Sequence, residues 1–491
     1  MIVASLPRNR NATMHRNLAT LALMTLATAA GAATGADPAL TIYRSDSDAL
    51  FEAGSQPVAD GHAIVHEQRA LQLAAGRQTV VIGGLPAMLD TEAVAVDLGM
   101  AGRMLAQRVI SPGDAGLLAA HRGEHVQVFG DADKPIADGV LVAIDGGNLG
   151  VRGGDGRISY VRDFTRVAFA PGSGLPGSTL QLAIDGKAGA VTAGLTYPTA
   201  GLGWRAAYSA LLLDEDAGCK LRLDALASIA NRSGRDYPAA TLKLIAGSPN
   251  FTKSGYAPRP VAMKAMAASA APEAMPEQAS LGDYRSYAID GNLDLPDASV
   301  TQVPLYASRD LACERRWLYE SGGPWFPQKP MLARDAWSGG SAPVQGRIGF
   351  TAAENLPGGN LRVLTRDRDG RTELLGENRI GDTVKGREVD VDLGVAFDLA
   401  ATRERTAFTL DRSAREMEEG VRITLANSGE SARTITVREH PNRWRAWTLQ
   451  SSSQKPDKQT PDTLEFRVAV PANGKATLDY AVRYAWVPAD E

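Results

Sequence analysis

The sequence predicts an all-β protein: several immunoglobulin-like β-sandwich modules and one small β-barrel-like unit. Three observations carry this. First, two distant stretches follow one plan. One is Leu221-Arg-Leu-Asp-Ala-Leu-Ala-Ser-Ile229, then Asn231-Arg-Ser-Gly234, then Ala240-Thr-Leu-Lys-Leu-Ile245. The other is Val421-Arg-Ile-Thr-Leu425, then Asn427-Ser-Gly-Glu430, then Thr434-Ile-Thr-Val437. Alternate residues point to one face and Asn with Gly supplies the turn, so each reads as a hairpin. Second, 50 Gly and 27 Pro provide for many turns. Third, no 3.6-residue period persists for three turns beyond the N-terminus; residues 400–418 come nearest to one.

In chain order, residues 1–36 read as a signal peptide. Arg8, Arg10, His15 and Arg16 form a basic start, and an apolar run over 18–30 follows. Ala30-Gly-Ala32 and Thr34-Gly-Ala36 offer small-x-small cleavage sites. Met14 is an alternative start to Met1. The apolar run is too short to span a bilayer, no later run reaches that length, and no Cys near the cleavage sites offers a lipid anchor. The expectation is a periplasmic or secreted protein that is not a lipoprotein.

Residues 37–112 read as an N-terminal β module and 113–178 as a compact barrel-like unit of five short strands, with hairpin turns at Asp145-Gly-Gly147 and Gly153-Gly-Asp-Gly156. Residues 179–255 carry the first sandwich part, 256–280 an Ala/Met/Pro-rich linker, and 281–491 the C-terminal sandwich part. Within the last, Asp367-Arg-Asp-Gly370 and Asn473-Gly474 are hairpin signals. The first of these also opens like a calcium loop, but the later acceptors and the closing Glu are absent.

A chain of 491 residues exceeds the growth limit of one core, so two to four domains are expected. The net charge of −4, without a cluster of Lys and Arg among aromatics, argues against a nucleic-acid partner. The only cysteines, Cys219 and Cys313, belong to the exported part, where an oxidising compartment allows a disulfide; two independent buried thiols are an equal alternative, since sequence gives no distance.

Few constellations suggest chemistry. His121-Arg-Gly-Glu-His125 matches the His-x-x-Glu-His pattern of zinc hydrolases. That chemistry needs a helix to set both imidazoles on one face. Gly123 interrupts the segment and a strand pattern follows at 126–129, so a turn entering a strand is the better reading. His62 and His66 share the spacing on a strand pattern, which separates them by about 13 Å, too far for one metal. Met263, Met266 and Met275 lack the His or Cys that would favour a soft metal. No nucleophile elbow, phosphate loop or dinucleotide fingerprint occurs. Aromatics cluster at Tyr197, Trp204 and Tyr208, at Trp317, Tyr319, Trp325, Phe326 and Trp337, and at Trp444 and Trp447. Core anchoring explains most of them, and Trp325, Phe326 and Trp337 are the candidates for ligand contact.

Several phrases carry a resemblance. They are Leu195-Thr-Tyr-Pro198, Trp204-Arg-Ala-Ala-Tyr208 and Ala227-Ser-Ile-Ala-Asn231-Arg-Ser-Gly234. Leu356-Pro-Gly-Gly359, Asp367-Arg-Asp-Gly370, Leu375-Gly-Glu377, Leu393-Gly-Val-Ala-Phe397 and Leu425-Ala-Asn427 continue it in order. Together, over residues 190–487, they resemble a bacterial envelope domain of unknown function found in mucoidy-inhibitor-type proteins. This chain has the short form, with the barrel-like unit where relatives carry a coiled coil. The resemblance implies a β-rich exported protein and brings no catalytic residues with it.

The expectation is therefore an exported binding or scaffolding protein of the cell envelope, not an enzyme, without a cofactor, whose partner is an envelope protein or glycan. One alternative is a metal-dependent hydrolase of envelope polymers using His121, Glu124 and His125. A second is a carbohydrate-binding protein.

Overall fold

A computed structural model describes residues 37–490 except 55, 111–117, 119–120, 132–133, 146, 170–176, 214–217, 248, 250–276 and 338. The expected signal peptide and the three linker methionines lie outside the described residues. The rest is nearly all strand, with short 3-10 turns such as Asp48–Leu50 and Gly99–Ala101. The described strands form sheets of seven, five, three and thirteen members. Residues 400–418 are strand, the end of Glu388–Asp411 and the start of Glu416–Asn427.

Two sandwiches share the long strands. In the first, the seven-stranded sheet packs on Leu202–Leu212, Lys220–Asn231 and Gly359–Arg366. Its core holds Trp204, Tyr197 and Tyr208, each at most 2% exposed. Polar tips find partners there: Trp204 Nε1 donates to Ile245 O (3.0 Å) and Tyr208 Oη to Pro357 O (2.8 Å). In the second, Gly340–Thr351, Glu388–Asp411, Glu416–Asn427 and Gly474–Ala485 face Arg433–Glu439 and Leu464–Val470 across a core that includes Trp444, Phe466 and Tyr484.

The strand Ser299–Ser321 belongs to both sandwiches. It pairs with Lys220–Asn231 up to Ala312, then with Gly340–Thr351 from Cys313 onward. Cys219 and Cys313 are joined by a disulfide at that exchange of partners, with Cα atoms 5.0 Å apart.

The segments 37–112 and 179–255 are not separate modules. Ala39–Tyr43 runs parallel to Tyr237–Ala246, and Ala63–Leu73 pairs along its whole length with Gly189–Thr199. One core receives Leu40 and Val65 as well as Leu195 and Leu244. The boundaries expected from sequence separate strands that only long-range pairing unites.

The two Asn-led turns differ from expectation in an instructive way. Lys220–Asn231 and Tyr237–Ala246 share no ladder and lie in different sheets; Glu416–Asn427 and Arg433–Glu439 also share no ladder, although both belong to the one large sheet that folds over the second core. Both turns are arches across a sandwich, not hairpins. Asn231 Nδ2 donates to Arg235 O (2.7 Å) and Leu295 O (2.9 Å), and its Oδ1 accepts from Ser233 N (3.1 Å) and Ser233 Oγ (2.8 Å). Asn427 Nδ2 donates to Ser431 O (2.9 Å) and Pro471 O (3.0 Å), and its Oδ1 accepts from Gly429 N (3.0 Å). Each thus ties its own arch to the next one. That second arch, at 296–298 and at 471–473, holds a positive-φ residue in both halves, Ala298 (55°) and Asn473 (48°). Asn473-Gly474 is also not a hairpin turn, because Leu464–Val470 and Gly474–Ala485 share no ladder. Asp367-Arg-Asp-Gly370 is one: it joins the paired strands Gly359–Arg366 and Thr372–Ile380, with Asp367 Oδ1 accepting from Asp369 N (2.9 Å) and Arg371 N (2.7 Å).

The small unit has its own core, including Val126, Leu141 and Val151. Its five strands follow the order Arg166–Phe169, His125–Phe129, Pro135–Asp145, Asn148–Arg152, Ile158–Val161. The two outer strands do not pair, so this barrel-like unit is an open sheet rather than a closed barrel. The chain leaves the three-stranded sheet at Ile110 and rejoins it at Thr179, which are partners in register. The unit is thus an insertion whose two ends meet.

Candidate functional site

Between Ser299–Ser321 and Gly340–Thr351 the chain runs through Gly322-Gly-Pro-Trp-Phe-Pro-Gln-Lys-Pro330. Pro324, Pro327 and Pro330 cannot donate to a ladder, so this stretch forms a loop. Trp325 stands at its outer side, 57% exposed. Phe326 is half-buried, and Trp337 is half-buried against the second core.

Buried charge anchors the chain immediately after this loop. Arg443, 1% exposed, donates from Nη1 to Met331 O and Ala333 O (2.9 Å each), and Met331 N donates back to Arg443 O (3.0 Å). Its Nε reaches Glu419 Oε1 at 2.9 Å, so the guanidinium is neutralised where water is excluded. Arg405 approaches the same carboxylate (3.7 Å) and donates to Arg334 O.

A second centre lies under Trp337. The Arg403 guanidinium sits 3.9 Å from the indole centroid. Its Nε donates to Glu439 Oε2 (2.8 Å), which also accepts from Tyr480 Oη. Glu439 Oε1 is buried and has no hydrogen-bond partner among the described residues. Burial pushes the Glu439 carboxyl above its ordinary value, against the opposing pull of Arg403 and Tyr480. Burial and then the charge of Glu439 push Tyr319 up to about 12.

His440, which the sequence left alone, is part of this region. Its Nδ1 faces Asp462 O (2.7 Å) and its Nε2 faces Glu320 Oε1 (2.9 Å). A lone His amid strand residues gave no sign of this, because both partners are distant in sequence.

The first sandwich holds a comparable centre around Glu67. Arg235 grips both carboxylate oxygens (Nη1–Oε1 3.0 Å, Nη2–Oε2 2.7 Å), and Arg69 (3.1 Å) and Tyr197 Oη (2.9 Å) add to Oε1. Burial alone would raise Glu67, but the Arg235 bonds and charge, with Arg69 and Tyr197, outweigh it and hold the carboxyl below its ordinary value.

The His-x-x-Glu-His residues do not converge. His121 is buried against Phe169 (ring centroids 4.4 Å apart), with Nδ1 on Glu124 Oε2 (2.8 Å). His125 lies on the strand His125–Phe129, exposed, with Nε2 2.8 Å from Asp138 Oδ1. Among the described residues no group of three His, Cys, Asp or Glu side chains is placed to hold a metal ion. His66 is exposed on its strand and bonds Thr196 Oγ1 (2.9 Å).

The loop, both arches and the Arg403–Glu439 centre fall within residues 193–488, which match the family model described as Domain of unknown function (DUF4139). The chain belongs to this family. Glu67 and the inserted unit precede the DUF4139 span, although Glu67 is held by two residues inside it, Tyr197 and Arg235. No curated protein and no solved structure matches the chain. Among the described residues no helix is long and apolar enough to cross a membrane.

Proposed function

We propose that this DUF4139 protein is an exported binding or scaffolding component of the bacterial cell envelope, of the mucoidy-inhibitor type, and that it contacts its partner through the loop around Trp325. The observation that carries this reading is the contrast between an exposed indole and the anchored chain that follows its loop. Trp325 is 57% exposed, while the chain just after its loop, at Met331 and Ala333, is tied to buried Arg443. An aromatic anchor held in place loses little entropy on binding. The Cys219–Cys313 bond supports an oxidising compartment, and the basic and apolar N-terminal residues support export.

The test places a photo-crosslinking residue at Trp325 in intact cells, with Lys475, exposed elsewhere in the second sandwich, as the reference. The expected result is a discrete adduct from position 325 and none from 475. Equal or absent crosslinking from 325 defeats the reading. The exposed indole also favours a second reading, a glycan partner stacked on the ring. Glycan binding by the purified protein that Trp325→Ala leaves unchanged removes this second reading.

A further inference from the structure

A separate cleft lies on the outer face of the second sandwich, where Ser299–Ser321 runs parallel to Arg433–Glu439. Leu318 and Thr436 are neighbours in register and form its floor, with Arg467 opposite Thr436 on the next strand. Leu318 is 4% exposed yet belongs to none of the three cores. Long charged side chains cover it instead. Arg316 and Arg347 form one wall, and Arg438 with Glu465 the other. The open cleft offers about 150 Å³.

The charges are unequal in their commitments. Arg347 is paired to Asp390 (2.7 Å), Arg316 to Glu388, and Arg438 to Glu465 (2.7 Å). Arg467 is exposed, and no side-chain hydrogen bond or ion pair engages its guanidinium among the described residues. One fork-shaped donor therefore stands ready for a planar oxyanion, the geometry a carboxylate offers. Asp390 and Glu465 also line the space, and as carboxylates they only accept hydrogen bonds. They repel a second negative charge and welcome hydroxyl donors. The Thr436 hydroxyl both donates and accepts.

We infer that this cleft binds a single sugar-acid unit, with its carboxylate on Arg467 and its hydroxyls shared among Thr436, Asp390 and Glu465 over the Leu318 floor. The space suits one pyranose ring. Two carboxylates in the lining disfavour a multiply charged phosphate or an acidic peptide. This inference is independent of the Trp325 contact and survives its failure.

The experiment is calorimetric titration of the purified protein with D-glucuronate and D-galacturonate, each alone, against D-glucose, acetate and inorganic phosphate. The expected result is binding of at least one uronate, ten-fold or more tighter than glucose, acetate or phosphate. Arg467→Ala should weaken it at least ten-fold with Tm unchanged, and Arg362→Ala, a surface arginine of the first sandwich, should leave it intact. Thr436→Val should weaken it about three-fold, which keeps the test decisive if Arg467→Ala unfolds the domain. No uronate binding, equal binding of acetate or phosphate, or full retention in the Arg467→Ala and Thr436→Val variants overturns the inference.

Discussion

Glu67 and Glu439 are both buried carboxylates held by an arginine and a tyrosine, one in each sandwich, and their surroundings push them in opposite directions. Glu67 has both oxygens occupied by four side-chain donor bonds. Glu439 has its known bonds on Oε2 alone. The difference teaches that an Arg–Glu–Tyr set does not fix the proton affinity of its acid. Glu439 is buried more completely, has one arginine rather than two beside it, and is bonded on one oxygen; together these differences let burial outweigh its hydrogen bonds. A saturated pair is a structural clamp. An under-satisfied one costs stability when ionised, and it lies in the half that carries the exposed loop.

Breaking the clamp has the largest expected effect. Glu67→Gln strands Arg235 and Arg69 and lowers stability at pH 7 by about 3–5 kcal/mol, read from urea unfolding. Because its folded value is depressed, the Glu67 contribution is present above the unfolded carboxyl value of about 4.3 and is lost as pH falls through the folded value. The gap between wild type and Glu67→Gln should close in strong acid; a gap independent of pH refutes the clamp.

Next come the arches. Asn231→Ala and Asn427→Ala each leave buried backbone groups without partners and cost about 1–3 kcal/mol. Asn231 accepts from both the amide and the hydroxyl of Ser233, whereas Asn427 accepts from one amide, so Asn231→Ala should lie at the upper end of that range. The reverse order would show that the shared plan hides unequal surroundings.

The smallest effect is expected at Glu439. Glu439→Gln imitates the protonated acid, so stability in mild acid should change by less than about 1 kcal/mol. The folded value is raised, so the favourable contribution is full below the unfolded value and lost as pH rises through the folded one. The variant should therefore gain on wild type with increasing pH, opposite in sign to Glu67→Gln. A parallel pH course for the two variants would erase the contrast between the centres.

The strands were legible because alternation is local. Leu221, Leu223 and Ala225 do face the core, as do Val421, Ile423 and Leu425. The partners were not. Asn-Gly chemistry specifies that the backbone reverses, as it does at both Asp367 and Asn427, but not whether the flanking strands join one sheet or face each other across a core. The same kind of signal therefore marks hairpins at Asp145, Gly153 and Asp367 but arches at Asn231, Asn427 and Asn473. The parallel contact of Ala39–Tyr43 with Tyr237–Ala246 spans too much chain for any pattern to show. The aromatic segment around Trp325 was visible in composition. Arg443, Arg403 and Glu439 beneath it were not, since an isolated charge in a strand looks solvent-facing until the fold buries it. The arginine cleft gave no signal either, because its residues come from five separate strands and one of its floor residues is an ordinary leucine.

The disulfide at the exchange of strand partners has a mechanical meaning. Cys219 and Cys313 lie 94 residues apart in sequence, and that interval contains the second arch of the first sandwich. Stretched out, those residues would add about 320 Å of chain. With the bond closed, a pull on the two ends of the protein bypasses this length and passes from one sandwich to the other through a covalent link. Under tension residues 220–312 would be shielded from unravelling, and reducing agent would release the hidden length as a discrete extension.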